Sequence, residues 1–150
     1  MIDSFKGRYR FLSNFYPALV RWDGWLYPTV EHAYQAAKFP TDQRQPFRSL
    51  DLKPGQAKRL GKGKGGPTWK DTSLDKMLIL LRQKFREPKL AELLLATGTQ
   101  DLIEGNDWHD TFYGRCNGDC RQGPHAPVGE NHLGRLLEQV RHELYSETQG

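Results

Sequence analysis

The stretch ALVRWDGWLYPTVEHAYQAAKFP, residues 18 to 40, constrains the fold more than any other part of the chain. Asp23-Gly24 stands between two apolar and aromatic runs, the combination a two-residue hairpin turn requires. Pro28 ends the second strand, and Thr29 is placed to cap a helix. That helix is expected to run to about Phe39 and to stop at Pro40. One short segment therefore predicts a strand, a turn, a strand and a helix in immediate succession.

The helix poses a chemical question. Val30, Ala33, Tyr34 and Ala37 make a stripe of mostly small side chains suited to close packing. Beside it, Glu31, Tyr34, Gln35 and Lys38 follow the i, i+3, i+4, i+7 spacing that a helix usually gives to its core. Glu31 and Lys38 lie roughly 10.5 Å apart along a helix axis but on nearly the same side. Their long side chains can converge on a sugar-sized group. Glu31 also stands in the first turn, where the helix dipole favours the ionised carboxylate. A solvated polar face has the same periodicity, so the pattern leaves both readings open.

Further along, a weaker helix is expected over Gln56 to Leu60. Ser73 should cap another through about Arg86, with Leu74, Met77, Leu78, Leu81 and Phe85 on one side. Pro88 opens a helix through Ala96 that Gly98 closes. DLIEG at 101 to 105 reads as a short strand, and 107 to 129 as irregular structure. A last helix follows Asn131 and buries Leu133, Leu136, Leu137, Val140 and Leu144. The expected fold is α+β: a single helix-rich domain over 1–150 with a small antiparallel sheet near the N-terminus. A chain of 150 residues is long enough for one packed core.

Composition excludes several classes. With 37% hydrophobic and 27% charged residues, the chain resembles globular rather than disordered proteins. No apolar run approaches the roughly 18 residues of a membrane span. MIDSFKGRYRFL lacks a signal-peptide apolar region, so a cytoplasmic location with no membrane partner is expected. The formal charge is +4, yet nine Lys or Arg fall between Lys38 and Lys70 against only Asp42 and Asp51. That local excess suits a phosphate-bearing partner, or simply a solvated basic loop.

GKGKGGPTW at 61 to 69 is not a P-loop, because Pro67 stands where the lysine belongs and no buried strand precedes it. Lys58, Arg59, Lys62 and Lys64 remain available to phosphate oxygens. Trp69 can stack on a base or serve the core. In EGNDWHDTFYG, residues 104 to 114, Asn106, Asp107, Trp108, Asp110 and Tyr113 suit a ribose or base, or else an Asx-capped surface turn. Gly129 and Asn131 precede the last helix, where backbone N–H groups can bind an anion. A plain N-cap at Asn131 fits equally. Cys116 and Cys120 form a Cys-x3-Cys pair near His109, His125 and His132, but no second pair follows at finger spacing. Two reduced thiols and no metal are expected. No Gly-x-Ser-x-Gly elbow occurs, so a serine hydrolase has no support.

RFLSNFYP at 10 to 17, DGWLYPTVEHAYQAAKF at 23 to 39, MLILLRQKF at 77 to 85, LLLATGTQDLIEGNDWHDTFYG at 93 to 114 and GENHLGRLLEQVR at 129 to 141 together resemble the NADAR (YbiA-like) family. The segments stand in the family's order and cover nearly the whole chain. The resemblance implies cleavage of N-glycosidic bonds to ribose, without metal or organic cofactor and without an obligate protein partner. The implied substrates are ADP-ribose on guanine in nucleic acid, or phosphoribosylamino-pyrimidine intermediates of riboflavin synthesis. Glu31 and Lys38 become the implied catalytic pair, an acid/base and a Schiff-base nucleophile. Ser13 and Asn14 line the implied pocket, and the expected substrate-binding set adds Phe15, Tyr34, Gln35, Trp69, Asn106, Trp108, Asp110, Tyr113, Gly114, Gly129 and Asn131. Tyr113 replaces a Trp common in the family, and Leu137 replaces a common Met.

Three rival readings stay in view. A reader of ADP-ribose without turnover would need neither Glu31 nor Lys38. A nonspecific nucleic-acid binder would rely on residues 38 to 70 and lose affinity steeply with salt. A two-carboxylate glycosidase would pair Glu31 with Asp107 or Asp110.

Overall fold

Asp23 and Gly24 both adopt left-handed backbone, with φ of +48° and +84°. Two consecutive positive φ values are what a type I′ hairpin turn demands. The turn joins β1 (Val20–Trp22) to β2 (Trp25–Tyr27), antiparallel, with Val20 opposite Tyr27 and Trp22 opposite Trp25. The structure is a computed structural model and describes residues 1–149.

The hairpin belongs to a compact unit spanning Asn14–Glu87. Here α1 (Val30–Ala36) packs against α2 (Pro54–Gly61) and α3 (Trp69–Lys84). Arg21 in β1 exchanges two hydrogen bonds with Gln83 of α3: its N–H donates to Oε1 at 2.8 Å, and its carbonyl accepts from Nε2 at 2.7 Å. The side-chain amide thus substitutes for a third strand at that edge. Val20, Tyr27, Val30, Ala33, Met77, Leu80, Leu81 and Phe85 form the core.

The second unit combines residues 1–13 with the chain from Pro88 onward. It holds a 3-10 helix (Gly7–Leu12), α4 (Pro88–Ala96), two two-residue strands β3 (Gly105–Asn106) and β4 (Arg115–Cys116), and α5 (His132–Gln149). β3 and β4 pair in parallel, and Ile2 bridges Leu102 in the same sense. Phe11, Leu12, Leu90, Leu94, Leu102, Leu133, Leu137 and Val140 fill its core.

The expected α+β class holds, with a helix-rich chain and an early antiparallel hairpin. Three local expectations need correction. α1 closes at Ala36, because Lys38 and Phe39 donate their N–H groups to Gln35 and Ala36 in tighter i→i+3 bonds. α3 begins at Trp69, so Ser73 lies inside the helix, buried, rather than at its cap. β3 falls at Gly105–Asn106, one step beyond most of DLIEG. No helix among the described residues is long and apolar enough to cross a membrane.

Candidate active site

Thr29 caps α1 as expected, accepting the His32 N–H on its hydroxyl at 3.1 Å. The same hydroxyl lies 2.7 Å from His32 Nδ1, and His32 Nε2 lies 2.6 Å from the Leu52 carbonyl. A neutral imidazole that donates through Nε2 and accepts through Nδ1 satisfies both contacts. Burial lowers the His32 pKa from its ordinary value, against the opposing effect of the Leu52 carbonyl. His32 therefore holds α1 to the segment before α2 and carries no charge near neutrality.

All seven residues of α1 are buried, including Glu31 and Gln35. This excludes the solvated polar face, since Glu31 is only 6% exposed. The Glu31 carboxylate accepts from Gln35 Nε2 at 2.8 Å, and its backbone N–H donates to the Asn14 carbonyl at 3.1 Å. A buried carboxylate with a charge-assisted hydrogen bond is held in a fixed position. The next turn carries the amine.

Lys38 Nζ donates to the Gly61 carbonyl at 3.2 Å. It sits 5.4 Å from the Tyr34 ring centroid and 5.7 Å from that of Trp69. Those rings meet edge to face at 5.3 Å, and Trp69 Nε1 donates to the Tyr34 hydroxyl at 3.0 Å. Burial lowers the Lys38 pKa from 10.5; the Glu31 charge pushes it back up, and Lys58 lowers it further. The net direction is down. Burial outweighs the carboxylate, a balance that no sequence pattern reveals.

Around this pair, Asn14 Oδ1 and Gln35 Oε1 are buried acceptors with no hydrogen-bond partner among the described residues. Asn14 spends its Nδ2 on the Met77 sulfur at 3.5 Å, a weak acceptor. Buried acceptors of this kind normally find a donor, so Asn14 Oδ1 marks a place where a polar ligand can bind, whereas Gln35 Oε1 packs against Gly61. Gly61 closes the far side. A Cβ there would collide with the Gln35 carboxamide, so only glycine lets α2 approach α1 this closely.

The same unit thus gathers Asn14, Glu31, Tyr34, Gln35, Lys38 and Trp69. Phe15 in that unit is 42% exposed. Ser13 ends the 3-10 helix in the other unit. There Asn106 is buried and closes a turn: Nδ2 donates to the Asp110 carbonyl at 2.9 Å, and Oδ1 accepts the Asp110 N–H at 3.0 Å. Asp110 Oδ1 accepts the N–H groups of Phe112 and Tyr113. Trp108 is half exposed, and Tyr113 meets Phe112 edge to face at 4.9 Å. The Asx-capped turn expected as the alternative is therefore formed by these residues.

Gly129 and Asn131 do not leave an open anion cradle. The N–H groups of Glu130, Asn131, His132 and Leu133 donate to the carbonyls of Thr111, Gly114, Phe112 and Tyr113. Asn131 adopts φ +54°, and its side chain bonds the Leu102 carbonyl and the Glu104 N–H rather than capping its own helix. Gly114 packs where any Cβ would strike Glu104 and Asn106.

Sequence reasoning overlooked Lys84. It lies in the last turn of α3, which reads as an ordinary solvated cation, yet it is 1% exposed. Burial lowers its pKa to about 7. Its ammonium lies 5.8 Å from the Tyr16 ring centroid and 5.2 Å from that of Phe85.

Comparison with known proteins adds to this geometry. The family described as the NADAR domain matches residues 3–145. The chain is 37% identical over 140 residues to a riboflavin biosynthesis protein of Vibrio vulnificus, covering 89% of this chain and 35% of that one. It thus spans about a third of that relative's length. It is 34% identical over 137 residues to the N-glycosidase YbiA of Escherichia coli, covering 88% of this chain and 79% of the relative. The solution NMR structure of E. coli YbiA superposes with a TM-score of 0.76 at 32% identity, over 99% of this chain and 89% of that one.

Proposed function

The chain belongs to the NADAR domain family, and on that premise we propose that it hydrolyses the bond between C1 of a ribose and a nucleobase or amine nitrogen. One observation carries the reading. A buried carboxylate, Glu31, and an amine with a depressed pKa, Lys38, project from one short helix and the turn that ends it.

An N-glycoside resists hydrolysis because its nitrogen leaves badly unless protonated. In this reading Glu31, protonated when the substrate binds, delivers that proton to the nitrogen as the C1–N bond breaks. Lys38, neutral, donates its electron pair to C1, and a proton passes from Nζ to the ring oxygen as the sugar opens to a protonated imine. Water then adds to the imine carbon as the Glu31 carboxylate takes up its proton, which releases the sugar and restores both the amine and the acid. Asn14 Oδ1 supplies a buried acceptor for a ribose hydroxyl. Of the two alternative partners, Asp107 and Asp110, the second commits one carboxylate oxygen to two backbone N–H groups, which leaves Asp107 as the carboxylate rival to the lysine.

For the substrate we favour ADP-ribose attached to guanine in nucleic acid. Lys62 and Lys64 are exposed within the basic run, available to a diphosphate or a strand backbone. The likeness to a riboflavin biosynthesis protein favours a second reading, a phosphoribosylamino-pyrimidine. Incubation with an ADP-ribosylated guanine oligonucleotide and, separately, with those pyrimidines separates the two by mass spectrometry of the products. Release of ADP-ribose and restored guanine is expected. Turnover of the pyrimidines alone would change the substrate class, and turnover of neither would overturn the reading.

A further inference from the structure

Between Asn106 and His132 the only regular structure is the two-residue strand β4. Loops beyond about 12–15 residues without structure of their own are uncommon in compact domains and need something to hold them. This one has few apolar side chains to do so. What it does have is four residues of two metal-ligand types, His and Cys, folded onto one point.

His109, Cys116, Cys120 and His125 bring their ligand atoms within 4.8 Å of one another. Cys120 Sγ lies 3.3 Å from His109 Nδ1 and 3.4 Å from His125 Nε2. Cys116 Sγ lies 3.8 Å from His125 Nε2 and 3.0 Å from Cys120 Sγ. Tetrahedral zinc, with Zn–S about 2.3 Å and Zn–N about 2.0–2.1 Å, places S and N roughly 3.6 Å apart and two sulfurs roughly 3.8 Å apart. The three S···N distances fall around that value, and the two sulfurs, 3.0 Å apart, would separate by roughly 0.8 Å to admit the ion. Both cysteines are free thiols.

We infer that His109, Cys116, Cys120 and His125 form a closed Cys2His2 site for a structural zinc ion. The backbone is already arranged for it. Cys116 is pinned by two hydrogen bonds with Val128, and the Gly123 N–H donates to the Cys120 carbonyl. His125 donates its N–H to the Gly118 carbonyl. Gly118 takes φ +93° at a spot where a Cβ would strike the His125 carbonyl. His109 holds φ +63°, an uncommon conformation for a non-glycine residue. The outer contacts agree as well. His125 Nδ1 lies 2.7 Å from the Ala126 carbonyl, which fixes the tautomer that leaves Nε2 free to ligate. His132 takes no part: its Nε2 faces Glu130 and its ring packs on Phe112.

Binding replaces two S–H protons with one Zn2+, leaving two thiolates and two neutral imidazoles around the ion and releasing both protons to solvent. Four protein ligands leave no open position, so the role is to hold the loop rather than to activate water. The inference stands apart from the proposed glycosidase reading, because none of the four ligands belongs to the Glu31–Lys38 pair.

The test uses the full chain, purified reduced from zinc-supplemented medium without chelator and desalted. Metal analysis is expected to give one zinc per chain, and cobalt exchange the absorption bands of tetrahedral thiolate coordination. Cys120→Ser and His125→Ala, at partly exposed positions, should stay folded by circular dichroism and retain less than a tenth of the zinc. Chelator should lower the melting temperature of the parent chain but not of these variants. A reduced, folded chain that retains no zinc would overturn the inference, as would full zinc in both variants. Recovery of a Cys116–Cys120 disulfide whose reduction yields no zinc binding would do the same.

Discussion

Gly61 accepts the Lys38 amine on its carbonyl at 3.2 Å, and its α-carbon faces the Gln35 carboxamide with no room for a side chain. One residue without a side chain thus touches both the amine and the amide that holds Glu31. Gly61→Ala should displace Gln35, free the Glu31 carboxylate and move the Lys38 anchor together. Turnover is expected to fall at least tenfold, with a loss of about 1–3 kcal/mol in stability from overpacking. Steady-state kinetics beside thermal melts measure both.

Glu31→Gln should keep the fold, since the new side chain still offers an oxygen to Gln35 Nε2. It removes the titratable group, and general acid–base catalysis is typically worth about 10²–10⁴-fold. Substrate affinity should stay near that of the parent chain. A Glu31→Gln chain that cleaves at the parent rate would make Glu31 a packing residue.

Lys38 is expected to form an imine with the sugar. Borohydride added during turnover should reduce it and leave the sugar on Nζ, located by peptide mass spectrometry. Lys38→Arg should abolish adduct and activity together, because Arg stays charged. Since the folded pKa is lowered, the neutral fraction grows as pH rises through that value. The rising limb of kcat/KM against pH should therefore lie below the ordinary lysine range. An absence of adduct under all trapping conditions would transfer the reaction to water and a second carboxylate.

Replacing Lys62 and Lys64 by Ala removes two exposed cations. Substrate affinity should weaken and its salt dependence flatten, with little change in melting temperature. Binding measured across a salt series decides it: identical slopes would make these lysines ordinary solvated charges.

Lys84 predicts a pH-dependent stability. Its folded pKa is about 7 and its ordinary value 10.5, so between them the unfolded chain binds the extra proton. Stability due to this group therefore rises with pH across that window and is lost as pH falls through 7, with a slope of up to about 1.4 kcal/mol per pH unit. Lys84→Met keeps similar bulk without the charge, so its melting advantage over the parent chain should widen as pH falls from 10 to 6. A constant gap would mean that Lys84 is not held neutral by burial.

Much of the fold was legible because it is locally encoded. Asp23-Gly24 tolerates the two positive φ values of its turn, Thr29 caps α1, and Pro88 and Gly98 bracket α4 as their backbone preferences dictate. The misplaced start of α3 has a tertiary cause: Ser73 looks like a cap in sequence but packs inside the helix. At the site, periodicity placed Glu31, Tyr34, Gln35 and Lys38 on one side of a helix but left their burial open. Lys84 was missed because patterning counts any lysine as solvent-facing. The convergence of His109, Cys116, Cys120 and His125, named in sequence beside His132, was not legible because their spacing follows no repeated pair; left-handed residues and glycines bend the loop back on itself.

The N–H groups of Glu130 and Asn131, just before α5, and of His132 and Leu133, in its first turn, donate to carbonyls of residues 111 to 114. The first turn of a helix usually exchanges its amide hydrogens fastest, because those donors face water. Here deuterium can enter residues 130 to 133 only when the 111–114 segment lifts away. Their protection against exchange thus measures the opening of that loop, and any ligand or ion that steadies the loop should slow all four amides together.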